Sequence, residues 1–229
     1  MKNFKITIDE GFSNKLVEGA TFIGFYDFPV VGEPRKIVVP ENIIPFSKRK
    51  YLLSDNDAIC FNEYEKSFAD VLRNPENYVE EFKKYVAIIS TDFSLYTSAP
   101  LAVKIANLYR NHALAGYYQR QGVNVIPFIR WGSVDTFEPS INNEKLAFIG
   151  YPKHSMVAIG TYGCCKKVDD KEIFRKGLIA MLEELEPKIV LVYGAMPKDI
   201  FKDLTNKTTF YQYADWTTLM HQGGYSGWR

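Results

Sequence analysis

Cysteine and histidine are scarce in this sequence, and neither is spaced as a metal site would require. The chain has three cysteines, Cys60, Cys164 and Cys165, and three scattered histidines. No Cys-x-x-Cys pair occurs, so a zinc site is not indicated. An odd cysteine count that includes an adjacent pair argues against a disulfide framework and favours a reducing compartment. The sequence therefore predicts no metal site and leaves any cofactor unknown.

Long hydrophobic runs and an excess of one charge are also missing. No stretch approaches the roughly 18 apolar residues of a membrane span, and the first ten residues lack the apolar centre of a signal peptide. Twenty-eight basic residues against 27 acidic leave a net charge of +1. Binding to nucleic acid would therefore need a local basic stripe. We expect a cytoplasmic protein without a membrane partner. The sequence leaves open whether the protein forms a homo-oligomer.

What the chain does have is apolar material, since 46% of its 229 residues are hydrophobic. That is enough for one substantial core. Prolines and glycines interrupt the region before residue 60, where strand-like pieces occur only near 22–26 and 37–39. Frequent proline is typical of edge strands or extended arms. We predict an irregular N-terminal layer at 1–60 packed on an α/β core domain at 61–215, with a flexible tail at 216–229.

Strands and helices alternate through the predicted core domain. Short runs rich in β-branched residues predict strands at residues 86–90, 123–129, 156–160, 189–192 and 210–213. Capping residues and helical periodicity predict helices at residues 63–72, 76–85, 97–120, 142–148, 169–184 and 198–204. This alternation is typical of an α/β fold with a mostly parallel sheet and crossover helices. An open Rossmann-like sheet and a partial barrel both fit, and both bind ligands at the carboxyl edge.

Polar residues stand directly after the first two predicted core strands. Asp92 and Ser94 follow one strand, and an aspartate there could act as a general base or hold a hydroxyl group. Arg130 and Trp131 end the next strand, where a guanidinium could bind an anion and an indole could stack on a ring. A structural alternative is equally open. In it Asp92 caps backbone amides, Arg130 pairs with Asp92 or Asp135, and Trp131 belongs to the core.

Two further candidates follow the third and fourth core strands. Thr161 and Tyr162 offer hydroxyl groups, and Tyr193 and Gly194 begin a tight strand-to-helix turn whose amides could face a phosphate. Neither the Gly-x-Gly-x-x-Gly nor the Gly-Lys-Ser/Thr pattern of phosphate-binding loops is present. The alternative for these residues is also structural, in which they stabilise the loops and do not contact a ligand.

Seven ordered motifs resemble an uncharacterised family found in bacteria, phages and other mobile elements, known as domain of unknown function 4417. They are DFSLY (92–96), PLA (100–102), YRN (109–111), VIP (125–127), RWG (130–132), AIGTYGC (158–164) and VYG (192–194). The resemblance covers roughly residues 60–215. It implies a phage or mobile-element context and no particular reaction. Tyr162 stands where the family pattern leads us to expect histidine, which argues against imidazole chemistry there.

These observations favour binding, with or without hydrolysis, of a nucleotide-like, phosphate-bearing small molecule at the carboxyl edge of the sheet. Arg130 would hold the anion, Trp131 would stack, and Asp92 would take a hydroxyl or act as base. Two alternatives remain, a DNA-binding or nucleic-acid-processing factor in phage or plasmid replication and a non-enzymatic host-interaction protein. The sequence does not decide whether the protein is an enzyme.

Overall fold

A computed structural model describes residues 13–139, 143–161 and 168–221. Within them the strands are β1 (Phe22–Ile23), β2 (Phe28–Pro29), β3 (Ile43–Pro45), β4 (Ala58–Cys60), β5 (Ala87–Ile89), β6 (Val125–Ile126), β7 (Met156–Gly160), β8 (Ile189–Tyr193) and β9 (Thr209–Tyr213). The α-helices are α1 (Asn14–Val17), α2 (Ala69–Arg73), α3 (Val79–Phe82), α4 (Leu101–Arg120), α5 (Val168–Leu185), α6 (Lys198–Phe201) and α7 (Trp216–His221). The predicted α/β class with parallel strands is confirmed.

The parallel strands lie side by side in the order in which they occur in the chain. Strands β3 to β6 form a four-stranded parallel sheet, and β7 to β9 form a three-stranded one. A parallel bridge between Phe128 and Ala158 joins the two sheets. There the Ile129 amide donates to the Ala158 carbonyl at 2.8 Å, and the Ala158 amide donates to the Pro127 carbonyl at 2.8 Å. The seven strands therefore form one continuous surface.

The joined sheets curve around a single apolar interior. Inner-face residues from six successive strands or their ends form one buried cluster that includes Ile43, Cys60, Ile89, Phe128, Met156 and Leu191. The Tyr213 hydroxyl of β9 donates to the Pro40 carbonyl, just before β3, at 2.7 Å. Among the described residues β9 and β3 are not paired, so the curved sheet does not close into a barrel.

Helices α4 and α5 cover the outer face and follow the sequence prediction closely. Helix α4 begins after Pro100, and Gly122 follows its end with a φ of 89°. A left-handed residue is typical at this position because it satisfies the last carbonyls of a helix. Leu114 of α4 and Leu178 of α5 are fully buried in the same core cluster. The longest helices therefore supply much of the packing against the sheet.

The proline-rich region contributes two strands that the sequence did not indicate. Strands β3 and β4 have only three residues each, all buried, so neither shows the alternation by which strands are recognised. Strand β4 pairs with β5 in parallel, with Ala58 opposite Ala87. The expected strand at 37–39 is not formed. Domain boundaries at 60 and 216 stay predictions, although the sheet continues across residue 60.

Several short predicted helices differ from the structure. The helix expected at 63–72 is a 3-10 turn at Glu65–Ser67 followed by α2, and that expected at 76–85 is a 3-10 turn at Pro75–Tyr78 followed by α3. Residues 143–148 are not helical, because Asn143 has a φ of 60° and the Ala147 amide donates to the Thr136 carbonyl.

Helix α7 occupies the beginning of the expected tail, and residues 222–229 lie outside the described residues. Within the described parts of the chain, the helices are too short or too polar to cross a membrane.

Candidate functional site

A cleft of about 700 Å³ opens at the carboxyl edge of the curved sheet. Parallel strands bring their carboxyl ends to one edge, so residues distant in sequence meet there. Each of the seven strands, β3 to β9, contributes its last residue or one shortly after it. These residues are Pro45, Asn62, Asp92, Arg130, Gly160, Tyr193 and Asp215. The cleft therefore lies where the alternation of strands and helices predicted a site.

Asp92 is a buried carboxylate that lines the cleft. Its Oδ2 accepts a hydrogen bond from Asn62 Nδ2 at 3.2 Å, and its Oδ1 lies 3.5 Å from Arg130 Nε. Within the described residues, Asp92 Oδ1 and Asn62 Oδ1 are buried without a hydrogen-bond partner. Buried polar atoms are nearly always hydrogen-bonded, and leaving one unsatisfied costs about 1–3 kcal/mol. These two oxygens are therefore candidate contacts for a ligand.

Two carboxylates of the cleft, Asp92 and Glu65, have pKa values that are displaced in opposite directions. Burial raises the pKa of Asp92 above its ordinary value, and the charge of Glu65 adds to this effect while Arg130 opposes it. Partial burial also acts to raise the pKa of Glu65. Hydrogen bonds from Ser94 and the positive charge of Arg130 outweigh it, so that this pKa is lowered. Such a divergence is typical of acid and base pairs in active sites.

The loop that carries Asp92 is held by side chains of helix α4. The Phe93 amide donates to Asn111 Oδ1 at 2.8 Å, and Asn111 Nδ2 donates to the Phe93 carbonyl at 3.2 Å. Asn107 Nδ2 donates to the Ser94 carbonyl at 2.8 Å, and the Ser94 amide donates to Glu65 Oε1 at 3.0 Å. The backbone of Ser94 is therefore a structural contact that orients Glu65. This network fixes the loop before any ligand arrives, as precise sites require.

Two glycines allow close approaches that shape the cleft. A Cβ atom at Gly160, the last residue of β7, would lie 2.6 Å from Asn62 Nδ2. A Cβ atom at Gly177 of α5 would lie 2.3 Å from Trp131 Nε1. Both distances are shorter than non-bonded atoms tolerate. The missing side chains therefore make room for Asn62 on the floor and for Trp131 on the wall.

Trp131 lines the cleft but is packed mainly into the core. Only 7% of its surface is exposed. Its ring centroid lies 4.9 Å from that of Phe174 and 6.3 Å from that of Phe148. This environment matches the structural alternative for Trp131, in which the indole belongs to the core. Likewise Arg130 lies beside Asp92, as the alternative for that residue stated.

Of the candidate residues that follow β7 and β8, some line the cleft and others do not. Tyr193 lines the cleft and accepts a hydrogen bond from the Trp216 amide at 3.0 Å. Thr161 Oγ1 donates to the Ala195 carbonyl at 2.6 Å, and the Gly194 amide donates to the Tyr213 carbonyl at 2.8 Å. Neither Thr161 nor Gly194 lines the cleft. Tyr162 lies outside the described residues.

The sequence did not indicate the residues that follow β4 and β3. Asn62 directly precedes the helix expected at residues 63–72, and its side chain donates to Asp92. Glu65 is also contributed by this segment, and Lys48 by the segment after β3. Tyr64 and Tyr96 line the mouth of the cleft and are 74% and 58% exposed. The one available signal was a polar segment directly after the apolar run at 58–61.

Negative charge is concentrated in the cleft although the chain as a whole is nearly neutral. The described cleft residues include two cations, Lys48 and Arg130. They also include five carboxylates, those of Glu63, Glu65, Asp92, Asp170 and Asp215. In the described parts of the chain no group of three histidine, cysteine, aspartate or glutamate side chains is arranged to hold a metal ion. The cleft therefore offers carboxylates and amides as its main polar contacts.

Comparison with known proteins identifies the family of this chain. Residues 20–214 match the model of the Domain of unknown function (DUF4417). The chain is 32% identical over 148 residues to the Gene 1 protein of Mycobacterium phage L5, covering 65% of this chain and 62% of the relative.

It is also 30% identical over 161 residues to the Gene 1 protein of Mycobacterium phage D29, covering 69% of this chain and 57% of the relative. The chain thus spans about 60% of the length of these relatives, and no solved structure matches it significantly. Since the family model covers most of its length, the chain belongs to the DUF4417 family.

Proposed function

We propose that the protein binds a nucleotide-like, phosphate-bearing small molecule in the cleft. The observation that carries this proposal is that Asp92 and Asn62 line the cleft and that each has a buried oxygen, Oδ1, without a hydrogen-bond partner among the described residues. A sugar hydroxyl would donate to Asn62 Oδ1, and the Asp92 carboxyl group would face the junction of sugar and base. Either contact would give a hydrogen bond to an oxygen that has none among the described residues.

The mouth of the cleft supports a ligand with an aromatic ring. Tyr64 and Tyr96 both line it and are largely exposed. Stacking of a nucleobase on an aromatic side chain contributes about 1–3 kcal/mol per base. The base would therefore contact these tyrosines, and Trp131 would serve as a wall of the cleft.

The charges of the cleft place the phosphate away from its floor. Arg130 lies beside Asp92 and its charge also acts on Glu65, so its guanidinium orients carboxylates. Lys48 is exposed at the rim and forms no ion pair with another described residue. A phosphate group would therefore be bound at Lys48, near solvent. This assignment differs from the sequence hypothesis, in which Arg130 held the anion.

The family supplies a biological setting for such a ligand. The related Gene 1 proteins are encoded by mycobacteriophages. A phage-associated protein that binds nucleotides would meet them in the cytoplasm of the bacterial host. The cytoplasm of the bacterial host is therefore the proposed location of the protein.

Calorimetric titration tests this function with adenosine, guanosine, cytidine and uridine, their 5′-monophosphates, and ribose 5-phosphate. At least one nucleoside and its monophosphate should bind. Asn62→Ala should weaken both about 10-fold, the value of one lost hydrogen bond. Lys48→Ala should weaken only the monophosphate, and Glu80→Gln, outside the cleft, should change neither.

Short single- and double-stranded DNA are titrated in parallel. Binding of DNA with no response to any of the small molecules would favour the nucleic-acid-binding alternative and overturn the proposal. If none of the compounds binds, the proposal is also overturned, and a protein partner is favoured.

A further inference from the structure

We infer that the cleft hydrolyses the bond between the sugar and the base of its ligand, with Asp92 as general acid and Glu65 as general base. Both side chains line the cleft, and the guanidinium of Arg130 acts electrostatically on both. This inference rests on the proposed function, because it needs a nucleoside or nucleotide in the cleft. It adds a reaction and two residue roles to that function.

The charge of the cleft selects the reaction class. Cleavage at the anomeric carbon of a sugar builds positive charge on the sugar ring. Transfer of a phosphoryl group instead spreads negative charge over oxygens and depends on cations to stabilise it. Besides Asp92, whose charged form is disfavoured by burial, the described cleft residues include four carboxylates and two cations, so the cleft favours the first kind of transition state over the second.

The surroundings of the two carboxylates suit different protonation states. Asp92 is 5% exposed, and burial disfavours its charged form. Glu65 is less buried, and its Oε1 accepts a hydrogen bond from the Ser94 amide at 3.0 Å, which stabilises the carboxylate. Asp92 is therefore suited to donate a proton and Glu65 to accept one. Asn62 donates to Asp92 Oδ2 and so orients the carboxyl group, while Oδ1 lies 3.5 Å from Arg130 Nε and has no hydrogen-bond partner among the described residues.

The step balances with water as the one co-reactant. The water oxygen forms a bond to the anomeric carbon, and Glu65 takes a proton from that water. The carbon–nitrogen bond breaks with its electron pair moving to the nitrogen of the base, which receives the proton of Asp92. Transfer of the proton from Glu65 back to Asp92 through solvent restores the site. The products are the free base and the sugar or sugar phosphate.

The test is chromatographic detection of free base from each nucleoside and monophosphate that binds in calorimetry. The wild-type protein should release base over hours at micromolar concentration. Glu65→Gln and Asp92→Asn should each lower the rate at least about 100-fold, as expected when a general acid or base is lost. Binding of the substrate should change less than about 10-fold in these variants, since both substitutions preserve shape. Glu80→Gln serves as the matched control and should keep the full rate.

The outcomes separate this inference from the proposed function. Binding without any released base overturns the hydrolysis and leaves ligand binding intact. Release of inorganic phosphate in place of base also overturns it, because the cleft would then act on the phosphoryl group. Absence of any binding overturns the proposed function itself. Release of base at an undiminished rate by both Glu65→Gln and Asp92→Asn would show that other residues carry the reaction.

Discussion

The two parts of the curved sheet differ in what they bury. The part built around β3 to β6, within residues 13–139, buries four acidic or basic side chains, those of Asp57, Asp92, Lys104 and His112. The part built around β7 to β9, within the described residues from 143 to 221, buries no acidic or basic side chain, and its buried side chains with hydroxyl groups are those of Tyr151, Ser155, Thr161 and Tyr193. Burial of an ionisable group is costly unless it is compensated. The first part therefore holds the buried ionisable groups, Asp92 among them, whereas the second contributes half-buried carboxylates to the cleft, those of Asp170 and Asp215.

Within the first part, buried charge has two different uses. Asp57 accepts four hydrogen bonds, from Asn42 Nδ2 at 2.7 Å, the Leu53 amide at 2.6 Å, the Ser54 amide at 2.9 Å and Ser54 Oγ at 3.1 Å. Asp92 accepts one, from Asn62. A fully satisfied carboxylate stabilises a loop, whereas an under-satisfied one in a cleft is available to a ligand. Substitutions should separate these uses.

The largest effect should come from Asp57→Asn. The new amide group keeps one acceptor oxygen, so its N–H donors would face either the backbone amides of Leu53 and Ser54 or Asn42 Nδ2, and the unsatisfied groups together should lower the free energy of unfolding by about 4 kcal/mol. Asp92→Asn should lower it by less, about 2 kcal/mol, because the new side-chain oxygen still accepts the hydrogen bond from Asn62 and only the partner of Arg130 is lost. Urea denaturation measures both. Equal losses would show that Asp92 is as structural as Asp57.

Arg130→Ala should have the next largest effect. The side chains of Arg130 and Asp92 are 20% and 7% exposed, and removal of one partner of a buried pair costs about 3 kcal/mol. The matched variant in the second part is Lys171→Ala, which breaks the exposed pair with Asp199 and should cost under about 1 kcal/mol. The same denaturation experiment compares them. A loss below about 1 kcal/mol for Arg130→Ala would mean that Asp92 does not depend on its partner.

His112 should give the first part a pH dependence of smaller size. Burial lowers the pKa of His112 from 6.5 to about 4, although its Nδ1 lies 2.9 Å from the Pro29 carbonyl. The unfolded chain therefore binds a proton more readily, so stability is full above pH 6.5 and is lost as the pH falls towards 4.

Between pH 7 and 5 the free energy of unfolding should fall by about 2 kcal/mol through this group. Denaturation of the wild type and of His112→Gln at both pH values isolates the contribution, since other groups titrate in both proteins. An identical pH dependence in the two proteins would contradict this role of His112.

A smaller effect than that of His112 should come from Thr161→Val in the second part. The substitution removes the hydrogen bond to the Ala195 carbonyl while keeping the shape, and should cost about 1 kcal/mol. Because Thr161 does not line the cleft, the affinity for any ligand should be unchanged. Thermal denaturation and calorimetric titration check the two expectations. A large loss of affinity would extend the site into the second part.

The sequence predicted the long elements well because their signals are local. Helices α4 and α5 and strands β5, β7 and β8 have clear periodicity or sustained apolar runs, and the carboxyl-edge rule then located the cleft. Strands β3 and β4 could not be found this way, since three buried residues carry no period.

The side-chain network needed the tertiary structure. Asp92 and Arg130 were identified from their positions at strand ends. Asn62 and Glu65 were missed because the strand before them was missed. Arg130 can bind either an anionic group of a ligand or a carboxylate of the protein. Which of the two it binds depends on the residues beside it, and Asp92 is about 40 residues away in sequence.

The strand order has a consequence for how the protein is made. Each parallel strand from β4 onwards lies beside its predecessor in the chain, so the sheet can grow from its amino-terminal edge as the ribosome releases each segment. The hydrogen bond from Tyr213 to the Pro40 carbonyl joins residues 173 apart and must form last. A nascent chain stalled before β9 would lack this contact and would leave β8 as an unpaired edge strand at the other end of the sheet.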